Sequence, residues 1–230
     1  MNLNIKKKLA ENMTKFGVFF EAIKQWHKEF EDKGQGHAGH GFDHSLMTAQ
    51  YAVLIAKNKH LGEMGWIAGL LHSIDRFCAN NTLQVGLIVE AFLKKLPIGY
   101  FTAKEIGQIL QAVLEHGGPN SEQDNSVCVV LKDADRLANL GPQSIIRSGQ
   151  FFPNISVCEM DFLEMKKNPA GTYQRPRSVL DNIKDMMEWE KDPRFGLRLP
   201  KAKQLAQKYF KFFRAFIEFN MAQYRETGMI

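Results

Sequence analysis

Cysteine is scarce in this chain. Cys78, Cys128 and Cys158 are the only three in 230 residues. They are widely spaced and odd in number, which excludes a disulfide framework and a zinc site built on cysteine pairs. Free thiols in a reducing, cytoplasmic setting are the expectation. No apolar run approaches the length of a bilayer span, so no membrane association is expected. Lys6, Lys7 and Lys8 precede Leu9, Phe16, Val18, Phe19 and Phe20, but acidic and polar residues interrupt that stretch. No small-residue cleavage site follows, and the segment reads as a helix of the mature protein. Strand-like alternation is not sustained anywhere, and there is no repeat or low-complexity tract. The formal charge of +5 is modest. Lysine pairs such as Lys94-Lys95 and Lys166-Lys167 read as solvated helix faces, so a nucleic-acid partner is not expected.

What the chain does contain is helical spacing. Ile106, Ile109, Leu110, Val113 and Leu114 recur at three- and four-residue steps. Thr102 and Glu105 form a capping-box signature before them, and Gly117-Gly118-Pro119 marks the end. Similar spacing runs through 44–57, 63–75, 83–96 and 126–139, the last with Asn125 or Ser126 as N-cap. Ser178 opens another such stretch. Pro200 suits the first position of a long helix reaching about residue 224. Irregular segments fall at 33–42, 117–125, 150–157, 168–177 and 191–199. The reading is an all-α globule of roughly nine or ten helices. In the last helix, Tyr209, Phe210, Phe212, Phe213, Phe216 and Phe219 cover more than one face. Most are assigned to the core, and the remainder to a homodimer surface.

Histidines and acids sit where an apolar helix face has no use for them. His44, His72 and His116 lie on or beside the apolar faces of three different segments. Ala68 and Gly69 precede His72 by four and three residues, and small residues there let another helix approach closely. Asp133 and Asp135 lie within an otherwise apolar helix, where carboxylates are costly unless paired or bound to a cation. Imidazoles with carboxylates suit a divalent ion such as Zn, Mn, Fe or Co.

These segments, taken in order, resemble the HD superfamily of metal-dependent phosphohydrolases. His40-Gly41-Phe42-Asp43-His44 is similar to its first motif, with His44 in the ligand place. Leu70-Leu71-His72-Ser73-Ile74-Asp75 is similar to the second, with His72 as ligand. Leu114-Glu115-His116 resembles an intermediate helix that carries an extra histidine. Asp133-Ala134-Asp135-Arg136-Leu137 resembles the closing motif, which makes Asp135 the ligand and Asp133 the reserve. The resemblance covers about residues 40 to 150. It implies one HD-like domain over 1–230, with C-terminal helices at 178–225 packing on the motif core.

One position departs from the pattern. The aspartate of the family's His-Asp pair is Ser73 here. A serine hydroxyl is a neutral, poor ligand, so metal (Mn, Fe, Co, Zn or Mg) is expected to bind weakly or not at all. His40, His116 or Asp75 could make good the loss, although Asp75 pairing merely with Arg76 is the plainer reading. Lys132, Arg136 and Arg147 are candidate cations for phosphate, as are Arg175 and Arg177 ahead of a helix N-terminus. For each of these a salt bridge or a solvated loop is the competing assignment. The implied function is hydrolysis of a nucleotide or other small phosphate ester, impaired by Ser73. The alternative is a degenerate HD module that binds a nucleotide or a protein without turnover.

Overall fold

The computed structural model describes residues 3–34, 39–78, 81–159 and 176–230. Among these residues it is helical, with ten helices of two turns or more and one single turn. The described residues form no strand, only one isolated parallel bridge between Ser156 and Ser178. No helix is long and apolar enough to cross a membrane. Two compact units divide the chain, Met1–Ala138 and Asn139–Ile230.

The first unit holds α1 (Leu3–Lys15), α2 (Gly17–Asp32), α3 (Phe42–Ile55), α4 (Lys59–Leu71), α5 (Ile74–Phe77), α6 (Thr82–Leu93), α7 (Ala103–Glu115) and α8 (Ser126–Ala138). Polar caps start several of these helices. Asn58 accepts from Leu61 N at α4, and Asn81 accepts from Gln84 N at α6. The Thr102–Glu105 capping box forms at α7 as expected. At α8 the cap is Asn125, whose Oδ1 accepts from the Val127 and Cys128 amides. Each such cap satisfies amides that no helical carbonyl can reach.

α4 is the centre of this unit. Every residue from Leu61 to Leu71 is buried, as expected of a helix apolar nearly all round. Glu63 is its one buried acid, and it accepts from Lys15 Nζ and Tyr100 Oη, each at 2.7 Å. Two glycines set how closely the neighbouring helices come. A Cβ on Gly69 would stand 2.6 Å from Ala49 Cα. One on Gly65 would stand 2.8 Å from Val130 Cγ1 and 3.0 Å from Ala52 Cβ. α3 and α8 therefore lie against α4 at separations that a larger side chain would prevent.

Two details differ from the sequence reading. The N-terminal helix is two helices, broken at Phe16, whose buried ring anchors the chain between Trp66 and Phe101. The helix expected over 63–75 begins at Lys59 and stops at Leu71; His72 and Ser73 form a turn before the single-turn α5.

The second unit holds α9 (Pro142–Phe151), α10 (Val179–Glu188) and α11 (Pro200–Glu226). Gly141 enters α9 at φ +87°, with Tyr209 packed where a side chain would be. Ser148 donates to Asn182 at 2.6 Å and ties α9 to α10. Pro200 opens α11 as expected. Of the α11 aromatics only Phe210 and Phe213 are fully buried. Tyr209, Phe212 and Phe216 are half-buried, and Phe219 is exposed. The expectation that most of them are core gives way to one narrow buried stripe, because Phe210 and Phe213 share a face and the others flank it.

Candidate metal centre

The close approach of α3, α4 and α8 brings three distant side chains to one point. His44 lies in the first turn of α3, His72 caps the C-terminus of α4, and Asp135 lies in the third turn of α8. His44 Nε2 is 3.1 Å from Asp135 Oδ1 and 3.2 Å from His72 Nε2. His72 Nε2 is 3.5 Å from the same carboxylate oxygen. Both imidazoles are buried, and the Asp135 carboxylate is about one-fifth exposed, at 21%.

The tautomer of His72 follows from its other nitrogen. Nδ1 lies 2.7 Å from the Gly69 carbonyl, which can only accept, so Nδ1 carries the proton. Nε2 then presents a lone pair to the cluster. His116 is built the same way, with Nδ1 on the Val113 carbonyl at 2.7 Å. A backbone carbonyl fixing the far nitrogen is the arrangement that orients metal-ligating histidines. Burial alone would raise the Asp135 carboxyl, but the neighbouring His44 and His72 imidazoles override it and hold the acid well below the usual carboxylate range. Asp135 is therefore an anion facing two imidazoles. Burial, and then the nearby His72, push the His116 imidazole down against the opposing pull of Asp75 and Asp135.

The donor set fits a divalent ion. Two nitrogens and one oxygen around an ion with bonds of about 2.0–2.2 Å lie about 3.0–3.5 Å apart when they occupy adjacent vertices. The three observed separations match that spacing, and the hard–borderline chemistry is that of Mn, Fe, Co or Zn.

The other expected residues are distributed around this point. Ser73 is buried, and its Oγ is 3.3 Å from His72 Nε2 while accepting from Ser45 Oγ at 3.0 Å. Asp75 is half-buried, with Oδ2 4.0 Å from His116 Nε2 and Oδ1 3.6 Å from Arg76 Nε. The His116 ring meets the His72 ring edge-on at 5.1 Å, and His40 meets His44 at 5.7 Å. Asp133 is fully buried and faces Arg136 at 4.0 Å. Lys132 donates to Pro119 O and to both oxygens of Asp124. Arg136 donates to Asn120 Oδ1 at 2.6 Å. Both cations thus hold the loop before α8. Arg147 and Arg177 belong to the second unit, where Arg147 donates to Asn139 and Arg177 pairs with Glu159. Arg175 lies outside the described residues.

The fold has structural relatives. A Lactobacillus plantarum protein aligns over 90% of this chain and 97% of its own, with 17% identity and a TM-score of 0.58. Bacillus subtilis YpgQ, solved in complex with ADP, aligns over 88% and 96% with 16% identity and a TM-score of 0.56. An HD-superfamily hydrolase from Bacillus thuringiensis aligns over 96% and 98% with 16% identity and a TM-score of 0.55. The fold is HD-like. No protein-family model and no curated protein matches the sequence.

Sequence reasoning overlooked three residues of this region. Gly65 and Ser45 carry no motif of their own, although Gly65 lies four residues before Gly69, which places both on one face of α4. His27, on α2, stands alone in the sequence between aromatic and charged residues, with nothing to mark it.

Proposed function

We propose that the protein is a metal-dependent phosphohydrolase acting on a nucleotide or other small phosphate ester, with His44, His72 and Asp135 as the metal ligands. The observation that carries this reading is the convergence of two Nε2 atoms and one carboxylate oxygen within 3.5 Å of one another. The HD-like fold supports it, as does ADP in the YpgQ structure.

A divalent ion held by these side chains would acidify water and polarise a phosphoryl oxygen. The chain's own residues set the rest. Asp135 stays ionised and supplies the single negative charge of the donor set. Gly69 O fixes His72 in the tautomer that can ligate. Asp75 and His116, 4.0 Å apart, form an acid–base pair that can hold a water and take its proton. His116 is thus a positioning partner here, or a ligand for a second ion.

Ser73 sets the strength of the site. With it, two imidazoles and one carboxylate leave a divalent ion with a net charge of +1, whereas a second carboxylate would neutralise it. Weak, exchangeable metal is the consequence, and direct attraction of a phosphate anion is the compensation. The test is metal content after chelator removal and re-addition of Mn or Co, followed by hydrolysis assays over a nucleotide panel. Metal-dependent release of phosphate establishes the reading. Metal binding without turnover of any nucleotide leaves the second reading, a non-catalytic module, which Ser73 favours.

A further inference from the structure

α2 carries a histidine that the metal triad does not use. His27 is 1% exposed, and neither ring nitrogen has a hydrogen-bond partner among the described residues. Native folds rarely leave a buried imidazole in that state without a use for it. Its surroundings are aromatic. The ring stands edge-on to Trp26 at 5.2 Å and to Phe77 at 5.5 Å, and lies 5.7 Å from Phe42. Trp26, Phe30 and Phe77 form a triangle with ring centroids 4.7 to 4.8 Å apart, and all three are half-buried.

This cluster lies close to the triad residues along the chain, and His27 is near enough to His72 to feel its charge. Phe42 stands two residues before His44, and Phe77 stands two after Asp75. Burial, and then the nearby His72, lower the His27 imidazole to about 4. The ring is therefore neutral at ordinary pH, with one N–H to donate and one lone pair to accept.

We propose that Trp26, Phe30, Phe77 and His27 form a subsite for a flat heteroaromatic ring, the nucleobase of a phosphate ester whose phosphate reaches the triad. The half-buried aromatic rings supply faces on which such a ring stacks. One His27 ring nitrogen, donor or acceptor according to tautomer, supplies a single hydrogen bond to a base edge, since the two nitrogens point apart. His27 is 1% exposed beneath these rings, so the subsite requires the half-buried Phe77 ring to swing off the imidazole as the ligand enters. An aromatic cluster serving only as core would be better completed by phenylalanine or leucine at position 27.

The subsite rests on the phosphohydrolase reading for its phosphate, and the test keeps the two apart. Adenosine carries the ring without phosphate, and ribose 5-phosphate carries phosphate without the ring. Calorimetric titration of the full chain is expected to show adenosine binding. His27→Leu and Trp26→Leu should each lower adenosine affinity about tenfold or more, while His27→Gln should retain part of it. Ribose 5-phosphate and Mn(II) binding should be unchanged in all three variants. Thermal melting should show His27→Leu to be at least as stable as the wild type, so that the loss is not unfolding. Adenosine that fails to bind, or binds equally well to His27→Leu and Trp26→Leu, overturns the subsite. Adenosine binding lost in the variants upholds it even where ribose 5-phosphate and Mn(II) fail to bind, an outcome that removes the phosphohydrolase reading alone.

Discussion

Among the described residues two clusters of metal-type side chains lie in the first unit, and they differ in what surrounds their acids. Glu115, Asp124 and Cys128 offer ligand atoms within 4.8 Å of one another, as do His44, His72 and Asp135. In the first cluster the Lys132 ammonium reaches Asp124 at 2.8 Å, with both side chains nearly inaccessible at 2% and 1%. Burial pushes the Cys128 thiol up to about 12, so it is no thiolate. In the second cluster Asp135 faces the His44 and His72 imidazoles. A tethered ammonium makes the first cluster a closed structural joint. The second offers two imidazoles and one carboxylate, a set that could hold a cation.

The largest expected effect breaks the closed cluster. Lys132→Met strands Asp124 in the interior and should cost about 3–5 kcal/mol, measured by urea unfolding. A loss below about 1 kcal/mol would mean that the ion pair holds nothing. Zinc should then stabilise the variant more than the wild type, because the ligands have lost their built-in cation.

The next effect is on the open side and concerns protons. The His27 imidazole falls from an ordinary 6.5 to about 4. Between those values the unfolded chain binds the extra proton and the folded one does not, so stability falls as pH drops. The shift corresponds to roughly 3 kcal/mol, present in full above pH 6.5 and lost on approach to pH 4. Urea midpoints at pH 7 and pH 4.5 should therefore differ less in His27→Phe than in the wild type. Equal acid sensitivity of the two proteins would show that His27 is not held neutral by the fold.

Third in size is removal of the only carboxylate in the triad. Asp135→Asn keeps the shape and deletes the charge. The rise in melting temperature on adding Mn(II) should vanish, with affinity down about 100-fold or more. Retention of that rise would place the ion elsewhere.

The same contrast explains what could be read in advance. The open cluster was legible because its residues are out of place on apolar helix faces, and because Ala68 and Gly69 announce a close helix crossing. Caps at Thr102 and Ser178 were legible because their chemistry is local, and the α8 cap was narrowed to Asn125 or Ser126. The closed cluster was not. Lys132 is an ordinary residue until the 117–125 loop folds back and Asp124 finds it, and no periodicity encodes that return. The break at Phe16 was equally hidden, since burial of its ring against Trp66 and Phe101 is a tertiary event that overrides helix propensity. The turn at His72 and Ser73 was misread as continuous helix because both keep near-helical angles.

The smallest predicted change moves the open cluster toward charge balance. Ser73 lies 3.3 Å from His72 Nε2 and receives a hydrogen bond from Ser45 at 3.0 Å. An aspartate there would keep that donor and bring a second carboxylate beside Asp135. Without metal, two buried anions repel, and Ser73→Asp should destabilise the protein by about 1–3 kcal/mol. With metal the sign reverses, because the ion is then neutralised by its ligands. Affinity for Mn(II) should rise about tenfold or more, equivalent to roughly 1.4 kcal/mol. The two signs belong together. A variant that loses stability in chelator and regains it in Mn(II) behaves as a cation site short of one charge. A variant destabilised equally in both buffers would mean that position 73 faces ordinary core, and that the open cluster is no more a metal centre than the closed one.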